Sequence, residues 1–169
     1  MLVFGLVKFF VWNSRVCFDE AALSSFIMFQ LPQPLHQLLS VGRWPRSHAE
    51  EIRQNLTPLV PLACIKQLAP EEQSLYLFAP PFHTVAERAA NNKFWLDQMS
   101  APSEIDLALD LGDFGLGSDA PILLDYQAGR VEPRVLHLHW ANRGRDNHWV
   151  ETAPNFEIFA RVLGLLPIT

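Results

Sequence analysis

Cysteine is scarce in this 169-residue chain: Cys17 and Cys64 are the only two. Two thiols so far apart form neither a disulfide framework nor a zinc knuckle, and a reducing cytoplasm suits them as small buried hydrophobes. Long apolar runs are also missing. The nearest thing to one, Met1 to Trp12, is interrupted by Lys8 and falls short of the ~20 residues that span a bilayer. It lacks the basic start and small-residue cleavage site of a secretory leader, so no membrane association is expected. Basic residues are outnumbered, thirteen Lys and Arg against eighteen Asp and Glu, for a net charge of −5. Direct nucleic-acid binding, which draws its affinity from clustered Lys and Arg, is therefore not expected. Repeats, linkers and low-complexity tracts are absent as well.

What is present suffices for a core, since 49% of the residues are apolar. The first cleanly patterned region begins just after Met28. Residues 1–27 are read as an apolar extension, for which a docked strand or helix, a weak membrane-surface segment and an artefact of start-site choice all stand open, the last being preferred, and 28–169 as a single domain. The acids are concentrated. Between Ala101 and Gly129 stand Glu104, Asp106, Asp110, Asp113, Asp119 and Asp125, with no Lys or Arg among them. Such a segment is either a solvated face or a field that steers a basic partner.

Local signals order the rest. Pro32 and Pro34 introduce a helix over Leu35 to Val41 that Gly42 stops, and Ser47-His-Ala-Glu50 is a capping box opening a helix to about Leu56. The stretch from Leu59 to Leu68 fits either a helix start at Pro61 or an irregular connection. Ser74 to Ala79 reads as a strand, and a second capping box, Thr84-Val-Ala-Glu87, opens a helix towards Asn91. From Leu107 the period changes to two: Leu107, Leu109 and Leu111 alternate with Ala108, Asp110 and Gly112, the pattern of a half-buried strand. Glycines 112, 115 and 117 suggest a turn. Strands are expected again at Pro121 to Tyr126, Arg134 to Trp140 and His148 to Thr152, joined by a turn at Gly129 and a loop from Asn142 to Asn147. A final helix begun by Pro154 buries Phe156, Phe159, Ala160 and Leu163 and stops at Gly164. Helices, then a meander, then a closing helix predict an α+β fold, a mostly antiparallel sheet with helices packed on one face.

Several chemical motifs fail on inspection. Asp113-Phe-Gly115 copies a kinase tripeptide without the glycine-rich loop, strand lysine or catalytic loop that would give it meaning. Gly115-Leu-Gly-Ser-Asp119 has neither the spacing of a nucleophile elbow nor the lysine of a phosphate loop. His137 and His139 are stronger, because residues i and i+2 of a strand share a face. With Asp110 on a neighbouring strand they would form a two-histidine, one-carboxylate metal set, the basis of a metal-dependent enzyme. The competing reading makes them ordinary polar residues on an exposed strand face. Trp44, Trp95, Trp140 and Trp149 are core candidates.

Several stretches together resemble one family. They are Leu77-Phe-Ala-Pro-Pro-Phe-His-Thr84, the block Gly112 to Ile122 continuing through Leu124-Asp-Tyr126, Pro133-Arg-Val-Leu136 with Trp140, and Trp149-Val through Phe156-x-x-Phe159 to Leu163-Gly-Leu165. In these the chain is similar to the bacterial branch of the SUKH superfamily, which includes the fungal Smi/Knr cell-wall assembly regulators. The resemblance covers about Leu31 to Leu165. It implies an α+β domain without catalytic residues or cofactor, whose work is binding a protein partner. Many bacterial members are immunity proteins that neutralise toxins, nuclease toxins among them, whereas the fungal relatives regulate through protein partners. A nuclease toxin presents a basic groove, and acids can imitate the phosphates it expects. On that argument Asp106, Asp110, Asp113, Asp119 and Asp125 are the candidate partner-binding carboxylates, and Asp113 or Asp119 could also cap backbone N–H groups in the glycine-rich loop.

Overall fold

The computed structural model describes residues 29–92, 107–115, 120–127, 132–140 and 146–167. The expected 1–27 extension, Trp95, Asp106, Asp119, Gly117, the Gly129 turn and most of the Asn142–Asn147 loop lie outside the described residues. The chain divides between Leu31 and Pro32, and all the helices and strands described lie in the unit from Pro32 onward.

Three short helices come first: α1 (Gln33–Ser40), α2 (His48–Arg53) and α3 (Leu62–Leu68). Strand β1 (Leu75–Leu77) and helix α4 (Val85–Asn91) follow. The meander is then β2 (Ala108–Phe114), β3 (Pro121–Asp125), β4 (Arg134–His139) and β5 (His148–Ala153), and α5 (Phe156–Val162) closes the domain. The fold is α+β, with helices packed on a five-stranded antiparallel sheet in the order β1-β2-β3-β4-β5. Among the described residues no helix is long and apolar enough to cross a membrane.

Capping explains where the helices begin. At α4 the box is complete: Thr84 N–H donates to Glu87 Oε2 at 2.7 Å and Glu87 N–H donates to Thr84 Oγ1 at 3.1 Å. At α2 it is half made. Ser47 Oγ accepts from Glu50 N–H, but the Glu50 carboxylate turns to Arg46, taking its backbone N–H at 2.9 Å and its guanidinium at 2.8 Å. The ambiguous stretch resolves as α3, with Pro61 at its N-cap. The last helix starts at Phe156, two residues later than expected, because Asn155 supplies the cap by accepting from Ile158 N–H at 2.9 Å. Gly164, at φ +72°, then lets Leu165 N–H reach back to the Ala160 carbonyl at 2.9 Å.

The half-buried strand expected at Leu107–Leu111 is corrected. Every residue of β2 and β3 is buried, so both sides of the sheet are covered there. Alternation of leucine with aspartate reports one apolar face but is silent on whether the other also receives a cover. Here it does: Val85 and Ala89 of α4 pack with Ala108, Leu123, Leu136 and Leu138, flanked by half-buried Trp140 and Trp149. Trp44 is a core residue, as expected, with Nε1 donating to the Phe78 carbonyl at 2.8 Å and its ring 5.6 Å from that of Phe156. Cys64 is half-buried and free.

Gly112 is not in a turn either. It lies in β2 just past a bulge, where a Cβ would stand 2.4 Å from the Tyr76 carbonyl oxygen of β1. Only glycine lets the two backbones approach so closely. The outer edge of β1 is also closed, by side chains from α2 and its C-cap residue Gln54. Buried Gln54 donates to the Leu77 carbonyl at 2.8 Å and accepts from Leu77 N–H at 3.1 Å, and Glu51 accepts from Ala79 N–H. An amide can mimic a neighbouring strand because it offers one donor and one acceptor side by side.

Candidate functional site: buried carboxylates and a histidine ladder

The register decides which of the expected site residues can meet. Asp110, Leu123 and Leu136 form one row across β2, β3 and β4, while Gly112, Ile122 and His137 form another. Leu136 and His137 are consecutive and so point to opposite sides of the sheet. Asp110 and His137 therefore face away from each other, and the metal set of His137, His139 and Asp110 is not assembled. Among the described residues no group of three His, Cys, Asp or Glu side chains is placed to hold a metal ion.

The carboxylates expected on the surface are inside. Asp110 is 1% exposed, Asp125 3% and Asp113 4%. Burying an ionised carboxylate is costly unless it is paired, and each of the three has found partners within the domain. Asp110 Oδ2 lies 2.9 Å from Nε of Arg88, whose guanidinium also sits 5.1 Å above the Phe78 ring. Asp125 Oδ2 accepts from Arg134 Nε at 2.7 Å, and its other oxygen accepts from Gln127 N–H at 3.2 Å. Arg134 extends that network to Gln127 Oε1 at 3.1 Å and Glu151 Oε2 at 3.4 Å. Asp113 Oδ1 accepts from Ala120 N–H at 3.3 Å, a capping contact of the kind expected for it. Asp110, Asp113 and Asp125 are thus struck from the partner-binding set. Asp106 and Asp119 lie outside the described residues.

Burial leaves its mark on titration. Asp110 is pushed up to about 7, chiefly by desolvation, against the opposing pull of the Arg88 guanidinium and the Gly112 N–H. Its backbone is held as firmly as its side chain, since Asp110 N–H donates to the His83 carbonyl at 2.8 Å and Leu109 bridges Thr84. The entry to α4 is therefore tied to β2 by backbone bonds and again by the Arg88–Asp110 pair.

On the opposite side His137 is buried, not displayed. Its Nδ1 is 2.7 Å from Thr152 Oγ1, and its ring meets Phe114 edge-on at 5.4 Å. Desolvation first, and then the neighbouring His139 and His148, push it down to about 4. It is a neutral core histidine at physiological pH. His139 is half-buried, and its cross-strand partner is exposed His148, with the rings 5.2 Å apart.

Two features escaped sequence reasoning. The arginines that meet Asp110 and Asp125, Arg88 and Arg134, stand outside the acidic segment, and no local spacing announces which base meets which acid. The second feature is an exposed apolar row. Leu56 is 86% exposed, Ile52 49%, Leu62 48% and Leu59 36%. Ile52 stands in the last turn of α2 and Leu56 just beyond it, four residues on, a spacing visible in the sequence. Comparison with protein-family models, curated proteins and solved structures finds no match to this chain.

Proposed function

We propose that the chain is a non-enzymatic, SUKH-type protein-binding domain. In this reading it acts in the cytoplasm as an immunity protein or regulator and holds a protein partner such as a toxin. The observation that carries the reading is the apolar row Ile52, Leu56, Leu59 and Leu62, left in water over eleven residues at the junction of α2 and α3. Large apolar side chains grouped on a surface mark interaction sites. The resemblance described above supports the same use.

Phosphate mimicry is no longer part of the argument for Asp110, Asp113 or Asp125. A basic nuclease-type toxin would have to be met by other acids, and the apolar row would supply the residence time.

A housekeeping scaffold with no toxin would use the same surface, so the test must separate the two. Deleting the gene in its source organism and mixing the deletant with its parent does so. Immunity leads to contact-dependent killing of the deletant, rescue by the intact gene, and failed rescue by Leu56→Glu. Survival of the deletant beside its parent would instead favour the scaffold. Rescue by Leu56→Glu as good as wild type would remove the apolar row from the account.

A further inference from the structure

Strand β5 forms one edge of the sheet, and at its start His148 stands directly across from His139 of β4. Three observations go beyond a chance ring contact. First, the ring centroids are 5.2 Å apart with planes at 63°. Two imidazoles bound to one tetrahedral zinc ion, each with an N–Zn bond of ~2.0–2.1 Å, place their centroids ~5.2 Å apart. A square-planar arrangement with adjacent ligands brings them to ~4.5 Å. Second, His148 Nδ1 lies 3.0 Å from the Asp146 carbonyl. A carbonyl oxygen only accepts, so the proton sits on Nδ1 and the lone pair on Nε2. Holding one ring nitrogen by a backbone carbonyl is how metal-bound histidines are oriented. Third, His148 is exposed and His139 half-buried, so an ion can enter from solvent.

We propose that His139 and His148 form a surface chelate for a zinc-like divalent cation that clips the edge strand β5 to β4. Among the described residues no third His, Cys, Asp or Glu joins them, so water completes the tetrahedron. Imidazole donors favour zinc-like cations over magnesium or calcium, which prefer oxygen. His137 takes no part, since it is buried with its ring edge-on against Phe114, whereas His148 stands in solvent. The site is independent of the apolar row and of any toxin partner.

Zinc chloride titrated into the full chain, followed by calorimetry and by NMR of the histidine ring protons, tests this. One zinc per chain is expected, with the His139 and His148 ring signals moving together and a hundredfold excess of magnesium failing to displace it. His148→Ala, at an exposed position, should weaken binding at least tenfold, and His139→Asn should do the same. The double variant should lose little more than either alone. His48→Ala/His83→Ala, which removes the two histidines paired with Glu51 and Glu87, should bind as wild type. The proposal is overturned by wild-type binding in His148→Ala, by ring shifts confined to His36, His48 or His83, or by no binding of zinc at all.

Discussion

The two sides of the central sheet solve the same problem in opposite ways. On the side facing α4, β2 and β3 bury carboxylates, and arginines from α4 and β4 come to meet Asp110 and Asp125. On the other side Phe114, Ile122, Leu124 and Val135 are apolar, and buried His137 is kept neutral with a hydroxyl partner. One side meets its acids with arginines, although burial still outweighs Arg88 at Asp110, whereas the other holds a base by discharging it. The cost of leaving water drives both, but it raises the affinity of an acid for its proton and lowers that of a base.

The pH consequences are opposite in sign. Asp110 titrates at about 7 in the folded chain and near ~4 when unfolded, so the folded state holds an extra proton in between. Its contribution is fully present below about pH 4 and is lost as pH rises towards 7. His137 titrates at about 4 when folded and near ~6.5 when unfolded. Its contribution is present above about pH 6.5 and is lost as pH falls towards 4. Between those limits the two slopes oppose each other, and wild-type stability should be nearly flat.

Variants can break or sharpen this contrast. The largest effect is expected from Gly112→Ala, which disturbs the β1–β2 crossing common to both sides. With the new methyl against the Tyr76 carbonyl, urea unfolding should show a loss of about 3 kcal/mol. Next is Asp125→Asn, which removes the charge facing Arg134 but leaves Gln127 and Glu151 in place. A loss of about 2 kcal/mol at pH 7 is expected from the same measurement. Asp110→Asn imitates the protonated acid. It should be neutral or stabilising at pH 8, and thermal melts across pH 4 to 7 should reveal the acid lability that Asp110 masks in the wild type. His137→Gln, which keeps a partner for Thr152, should do the reverse, exposing a decline in stability as pH rises over the same range. The smallest stability effect belongs to Leu56→Glu, expected within about 0.5 kcal/mol of wild type because the side chain is already in water. Its effect should appear only in partner-dependent protection.

Much of the fold was legible in the sequence because its signals are local. The Thr84–Glu87 box, the left-handed stop at Gly164 and the two-residue period of β4 each act within a few positions, and each element appears where those signals stand. The site was not legible in the same way. Asp110 and Asp125 sit in an acid-rich segment that reads as a displayed face, and only the tertiary fold brings Arg88 and Arg134 onto them. His137 and His139 were correctly expected to share a side, but their surroundings depend on Phe114 and Thr152 from other strands. Gln54 gave no local sign that it would stand in for a sixth strand.

The central claim is that Asp110, Asp113 and Asp125 of the acidic segment turn inward. The most direct measurement is the side-chain carboxyl carbon of Asp110, followed by NMR from pH 3 to 9 in the intact chain. A midpoint about 7, with little sensitivity to salt, is the expected result. A midpoint near the ordinary ~4 of a hydrated aspartate would contradict the account and return Asp110 to the surface.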